Sequence, residues 1–285
     1  MGDEGLEAVC ERLIWATDHL RRLDAAMAPI RAAYRDPSIS IKREQGGQIR
    51  NYSIGNVPSV PREVSLIVGD CVHNFRSALD NLIVTASMDS YPGGLSKTQK
   101  KACAFPLSHA KEAFREKRSH GAIACLPKRA QAAIQRIQPY KADDPLRHPL
   151  RILSRLSNLD KHEAVPVIGW ASPTLGRVIG TPDPHPVITP LTESLESNTD
   201  FLRVTVVPNY AHMNVELFLS FHVSLQSPTE ARGRDAWYWL NDIRENIVSQ
   251  VIPALAPFCR GTVPDLERLT QVEMPEVTKW VSVVG

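Results

Sequence analysis

The sequence predicts an α+β fold that is mainly helical, a bundle of long helices with a small antiparallel sheet. Three observations predict it. Apolar residues recur at helical spacing over four long stretches, about 4–34, 61–88, 147–162 and 233–258. Residues 213–225 alternate, with Met213, Val215, Leu217, Leu219, Phe221, Val223 and Leu225 on one side and Phe218 as the exception on the other. The order along the chain is helix, hairpin, four helices, strands, helix, which keeps strands and helices apart. The expectation is a single domain over residues 1–285, its helical core at about 4–34, 61–162 and 233–258.

In the first helix, Leu6, Val9, Cys10, Leu13, Ile14, Leu20 and Leu23 form the apolar stripe, and Pro29 should kink or end it near its last turn. Residues 38–54 alternate, turn at Gly46-Gly47 and alternate back, a hairpin signal. Pro61 opens the next helix, with Glu63 in its first turn, and Tyr91-Pro92-Gly93-Gly94 follows its end near Met88. Shorter helices are expected near 108–118 and 127–138, then one at 147–162 carrying Leu150, Ile152, Leu153, Leu156 and Leu159. Pro173, Pro182, Pro184, Pro186 and Pro190 argue against a central strand between 164 and 190. Strands at 201–207 and 213–225 should complete the small sheet. The last helix, with Leu240, Ile243, Ile247, Val251, Leu255 and Phe258, should pack back on the first.

The chain has 285 residues, 43% hydrophobic and 22% charged, with a net charge of +2. That is an ordinary globular composition, far from a dedicated nucleic-acid coat. Five cysteines, an odd number without a CxxC pair, point to a reducing compartment and away from a disulfide framework or a zinc knuckle. The acidic start lacks the features of a signal peptide, and no apolar run reaches the length of a membrane span. A cytoplasmic protein with no membrane partner is the expectation.

The run Asp70-Cys71-Val72-His73-Asn74-Phe75-Arg76-Ser77-Ala78-Leu79-Asp80-Asn81 carries the most unusual polar face. At about 100° per residue, Asp70, His73, Asn74, Ser77, Asp80 and Asn81 share one side, with Arg76 at its edge. A solvated helix face ordinarily takes Lys, Glu, Gln and Arg, which are good helix formers. Asp, Asn, Ser and His are poorer formers, and a face built from them reads as hydrogen-bonding machinery. A second stripe, Arg151, Ser154, Arg155, Asn158 and His162, runs along the helix at 147–162, while Asp160 falls on the leucine-rich side. A carboxylate there needs a partner, and Arg76 is a candidate. If the two helices pack side by side, their stripes line one groove. The plain alternative is two solvated faces with ordinary pairs, Asp70 with Asn74 and Arg76 with Asp80.

The segments GDCVHNFRSALDNLI and HPLRILSRLSNLDKHE resemble a group of uncharacterised bacterial and phage-associated helical proteins with HN-x-RSALD and N-x-DKH segments. The likeness covers about 64–84 and 147–163, and extends more loosely to 236–258. It implies a shared helical fold. A more distant likeness is to HEPN-type helical ribonucleases, marked by Arg followed four to six residues later by His on a helix. Arg155-x6-His162 has that spacing, whereas Arg76-x4-Asn81 has Asn in place of His. The likeness implies that Arg155 holds a scissile phosphate and His162 moves the proton in attack by a ribose 2′-hydroxyl. Asp70, His73, Asn74, Arg76, Asp80, Asn81, Arg151, Asn158 and Asp160 would shape that site.

Two other readings compete. One is a non-enzymatic binding protein with a structural polar network. The other is a metal site in a bundle, from the Asp70-x-x-His73 spacing. No second carboxylate-x-x-His pair exists in a helix to complete it. No P-loop, GxGxxG, GxSxG or HExxH is present, so no cofactor and no metal is expected. His185 and His222 read as surface residues. Trp237, Tyr238 and Trp239 cannot all face one way on a helix, so a core or dimer contact is expected for at least one. RNA and a second copy of the chain are the expected partners.

Overall fold

A computed structural model of the chain describes residues 5–88, 94–120, 123–161, 163–178, 186–192, 194–208, 215–259 and 281–284. The expected site residue His162, and His185, lie outside the described residues.

Helix α1, Gly5–Ala33, and helix α2, Arg62–Met88, pack along each other. Their apolar stripes, Leu6 to Ile30 on one and Val64 to Ala86 on the other, are buried in the joint core, except that Ile14, expected in the first stripe, is exposed. Pro29 sits in the last turn of α1 without ending it, and the helix continues to Ala33. Between them lies the expected hairpin, β1 Ile39–Glu44 and β2 Ile49–Ile54. Gln45, Gly46 and Gly47 all take positive φ in its turn, which the two glycines adopt without steric cost.

Three short helices follow, α3 Lys97–Ala102, α4 Lys111–His120 and α5 Lys128–Arg136. Helix α3 was not anticipated, since it buries no residue and has no apolar period. What holds its start is a capping box between Ser96 and Gln99. Helix α6, Pro149–Asp160, then packs on α2.

The strands form two sheets rather than the one expected. The first has the order β1-β2-β5-β4, with β5 Asp200–Thr205 and β4 Val187–Pro190. The second has the order β3-β6-β7, with β3 Val167–Val178, β6 Val215–Leu225 and β7 Val281–Val284. The hairpin recruits β5, while the longer β6 takes β3 along its whole length. Both strands of the proline-rich region, β3 and β4, lie at sheet edges, where a missing N–H costs least.

The last helix packs on α1, α2 and α6, as the periodicity predicts. It is not uniform. Helix α7, Ala236–Asn246, passes through a π turn at Ile247–Val251 into α8, Ile252–Leu255. Pro253 cannot donate to the preceding turn, and the widened turn accommodates it. Trp237 and Trp239 are buried, and Tyr238 is half-buried with its ring edge-on to Trp237. His222 is not a surface residue: the segment leading into α7 covers that side of β6, where Gly233 N–H donates to Ser224 Oγ and Ser224 bridges to Asp235. Burial pushes the His222 imidazole down to about 4. Among the described residues, no helix is long and apolar enough to cross a membrane.

Candidate functional site

The site is built on α6. His148 caps it, its Nδ1 accepting the Leu150 N–H at 3.2 Å, and Pro149 occupies the first turn, where its missing N–H is harmless. Burial lowers the His148 pKa, which keeps the ring neutral and able to accept. Leu150, Ile152, Leu153 and Leu156 are buried. Residues spaced three and four apart on the other side, Arg151, Ser154, Arg155 and Asn158, therefore turn outward together. They form one wall of a cleft of about 280 Å³.

The opposite wall is Leu107, Ser108 and His109, with Pro139 beside them. This extended segment has no helix or sheet of its own, and side chains anchor it. Phe105 N–H donates to Asp80 Oδ1 at 2.8 Å. Ser108 N–H donates to Gln138 Oε1 at 3.0 Å, and Gln138 in turn donates to the Ile134 carbonyl at 3.3 Å. Asp80 is held by Arg76, whose Nε lies 3.1 Å from Oδ2 and whose Nη2 lies 2.7 Å from Oδ1. Burial raises the Asp80 pKa, opposed by Arg76, by the Phe105 N–H and by Lys161.

The cleft is rich in donors. Among the described residues Arg155 is exposed and has no ion-pair or hydrogen-bond partner. Arg151 lies 3.9 Å from Glu230, and its buried Nε has no hydrogen-bond partner. Ser108 is buried, and its Oγ likewise has none. His109 is exposed in the wall facing α6. Among the described residues, no carboxylate lines the cleft.

The expected groove between two polar helix stripes does not form in that way. Arg151, Arg155 and Asn158 line the cleft, but no residue of α2 does. Arg76 and Asp80 stand behind its wall and position it. Asp70 and His73 are exposed, with Asp70 4.0 Å from His19 on α1. Asn74 is buried and donates to the Asp70 carbonyl rather than its carboxylate. Asn81 is half-buried on α2, outside the cleft. Asp160 is not the partner of Arg76, which is taken by Asp80; its carboxylate lies against Gly69. The packing explains the change. Gly69 lets α6 approach α2 closely at the Asp160 end, which leaves no space for a groove there, and the cleft opens on the outer side of α6.

His109 was missed by sequence reading. It follows Phe105-Pro106-Leu107-Ser108, a segment that reads only as the approach to a helix. Its place in the lining of the cleft depends on contacts of its neighbours Phe105 and Ser108 to residues 80 and 138, far away in sequence.

Comparison with family models, with curated proteins and with solved structures returns no match.

Proposed function

We propose that the α6 cleft holds the phosphodiester of an RNA strand and cleaves it. The observation that supports this reading is the lining: Arg151 and Arg155 with Ser108, His109, Ser154 and Asn158, and no carboxylate among the described residues. Charge-assisted bonds from guanidinium to phosphate are short and strong, and Arg presents its donors in a fork that fits two phosphate oxygens. Arg155 is the principal contact, being exposed and unpaired among the described residues, while Glu230 partly offsets Arg151. A ligand oxygen against the inner wall would give Ser108 Oγ the partner it lacks.

In the reaction, a histidine takes the proton of the ribose 2′-hydroxyl. The 2′-oxygen attacks phosphorus, the 5′-oxygen leaves and gains a proton, and a 2′,3′-cyclic phosphate remains. Arg155 stabilises the charge that builds on the phosphoryl oxygens. His109, which shares the cleft lining with Arg155, is the candidate for the first proton transfer, and His162 stays a candidate for the second.

The Arg76–Asp80 pair favours a structural role for the α2 stripe, as a binding protein without catalysis would also need. A metal reading has less support. Among the described residues no group of three His, Cys, Asp or Glu side chains comes together.

The test is a single-stranded RNA substrate with end-labelled products. Wild-type protein should give cyclic-phosphate ends, and Arg155→Ala and His109→Ala should lose cleavage at unchanged melting temperature. Binding without cleavage in the wild type would leave the binding-protein reading in its place.

A further inference from the structure

Cys103 ends α3 and Cys125 lies on the turn before α5, yet their sulphurs are 3.5 Å apart. Ser87 of α2 completes the cluster, its Oγ 3.1 Å from Cys125 Sγ. The Ser87 hydroxyl donates to the Ile83 carbonyl at 2.7 Å, so its proton is already committed. With that proton directed to Ile83, the Cys125 S–H is placed to donate to Ser87 Oγ, which lets the Cys125 sulphur accept from the Cys103 thiol. This order aims the Cys103 sulphur at the Cys125 sulphur.

We propose that Cys103 and Cys125 are a redox-modification site, a dithiol that a low-molecular-weight disulfide such as oxidised glutathione converts into an intramolecular disulfide. The sulphurs need only close from 3.5 Å to about 2.05 Å. Both cysteines sit on connecting segments, where such a shift disturbs no helix interior. The three remaining cysteines are placed differently: Cys10 is buried in the core, Cys71 faces the Ala16 carbonyl and Cys259 the Leu255 carbonyl. Among the described residues, no third His, Cys, Asp or Glu joins the pair.

The chemistry balances in two exchanges. Cys125, half-buried and the more accessible, loses its proton and attacks one sulphur of the glutathione disulfide, releasing one glutathione. Cys103 then loses its proton and attacks the Cys125 sulphur of the mixed disulfide, releasing the second. Two protein thiols are oxidised, one glutathione disulfide is reduced, and the two protons pass to the released thiolates. Burial and the Cys125 neighbour push the Cys103 thiol up to about 11, so the second exchange speeds up with rising pH. The new bond closes a loop that carries α4 and the Leu107–His109 wall, fixing that wall at both flanks.

The experiment uses the full chain in glutathione buffers from reducing to oxidising, quenched in acid, alkylated after denaturation and read by peptide mass. The expected result in oxidising buffer is a Cys103–Cys125 linked peptide and an intact mass lower by about 2 Da, reversed by dithiothreitol. Cys103→Ser should stop at a glutathione adduct on Cys125. Recovery of both residues as alkylated thiols would overturn the proposal. So would a lasting glutathione adduct on wild-type Cys125, or Cys103→Ser with no adduct.

Discussion

Gly69→Ala tests the close approach that sets the direction of α6. A Cβ at this position would stand 2.5 Å from Asp160 Oδ1 and 3.4 Å from its Cγ. In a helix interior Gly→Ala alone gains about 1 kcal/mol. Overpacking costs about 1–3 kcal/mol, because the half-buried Asp160 must turn away from α2. The net effect in the wild-type background should be a loss of about 1 kcal/mol. In an Asp160→Ala background the obstacle is gone, and the same substitution should stabilise by about 1 kcal/mol. The double-mutant cycle therefore carries about 2 kcal/mol of coupling with a change of sign. Urea denaturation of the four proteins measures it. Equal stabilisation by Gly69→Ala in both backgrounds would refute the packing argument, and with it the reason why the cleft opens on the outer side of α6.

Two further outcomes follow from the geometry. Asp80→Ala removes the acceptor of the Phe105 N–H and leaves Arg76 without its carboxylate. Because the pair is about a quarter to a third exposed, the loss should be about 1–2 kcal/mol rather than the larger cost of a dry pair, read by urea denaturation. RNA cleavage should fall as well, because the wall bearing His109 is released. The second outcome concerns pH. Burial places the His222 pKa at about 4 against 6.5 unfolded, so His222 favours the fold above 6.5 and loses that contribution as pH falls through 4. Burial raises Asp235 to about 6 against 3.8 unfolded, although the Trp237 N–H and Arg31 oppose it. Its contribution is full below 3.8 and is lost as pH rises through 6. Between about pH 4 and 6 the two slopes nearly cancel, whereas Asp235→Asn, which keeps an acceptor at the start of α7, should lose about 3 kcal/mol on acidification from pH 7 to pH 4. Denaturation midpoints of the two proteins across that range check it.

Much of the fold was legible because burial imposes its period on the chain. Four helical stripes and the alternation of β6 each answer to one buried face. What escaped was set by contacts distant in sequence. The division into two sheets depends on which strand recruits which partner, and alternation says only that a face is buried. His222 lies on the polar side of its strand by pattern but is covered by the segment before α7. Helix α3 rests on a capping box, a local signal without a period. For the site, the α6 stripe was legible because an outward polar face needs only helical spacing. The role of the α2 stripe was not, since Asp80 is committed to a backbone N–H 25 residues further on. The cysteines show the same limit: with no CxxC spacing, nothing in the sequence pairs Cys103 with Cys125.

The central claim is that the cleft on α6 holds a phosphodiester, and titration of a short single-stranded oligoribonucleotide by fluorescence anisotropy at several salt concentrations tests it most directly. Wild-type protein should bind. Arg155→Ala should weaken binding about tenfold or more, equal to the loss of one charge-assisted hydrogen bond, and should lower the salt slope by about 1 at unchanged melting temperature. Equal affinity and equal salt slope for wild type and Arg155→Ala would contradict the account.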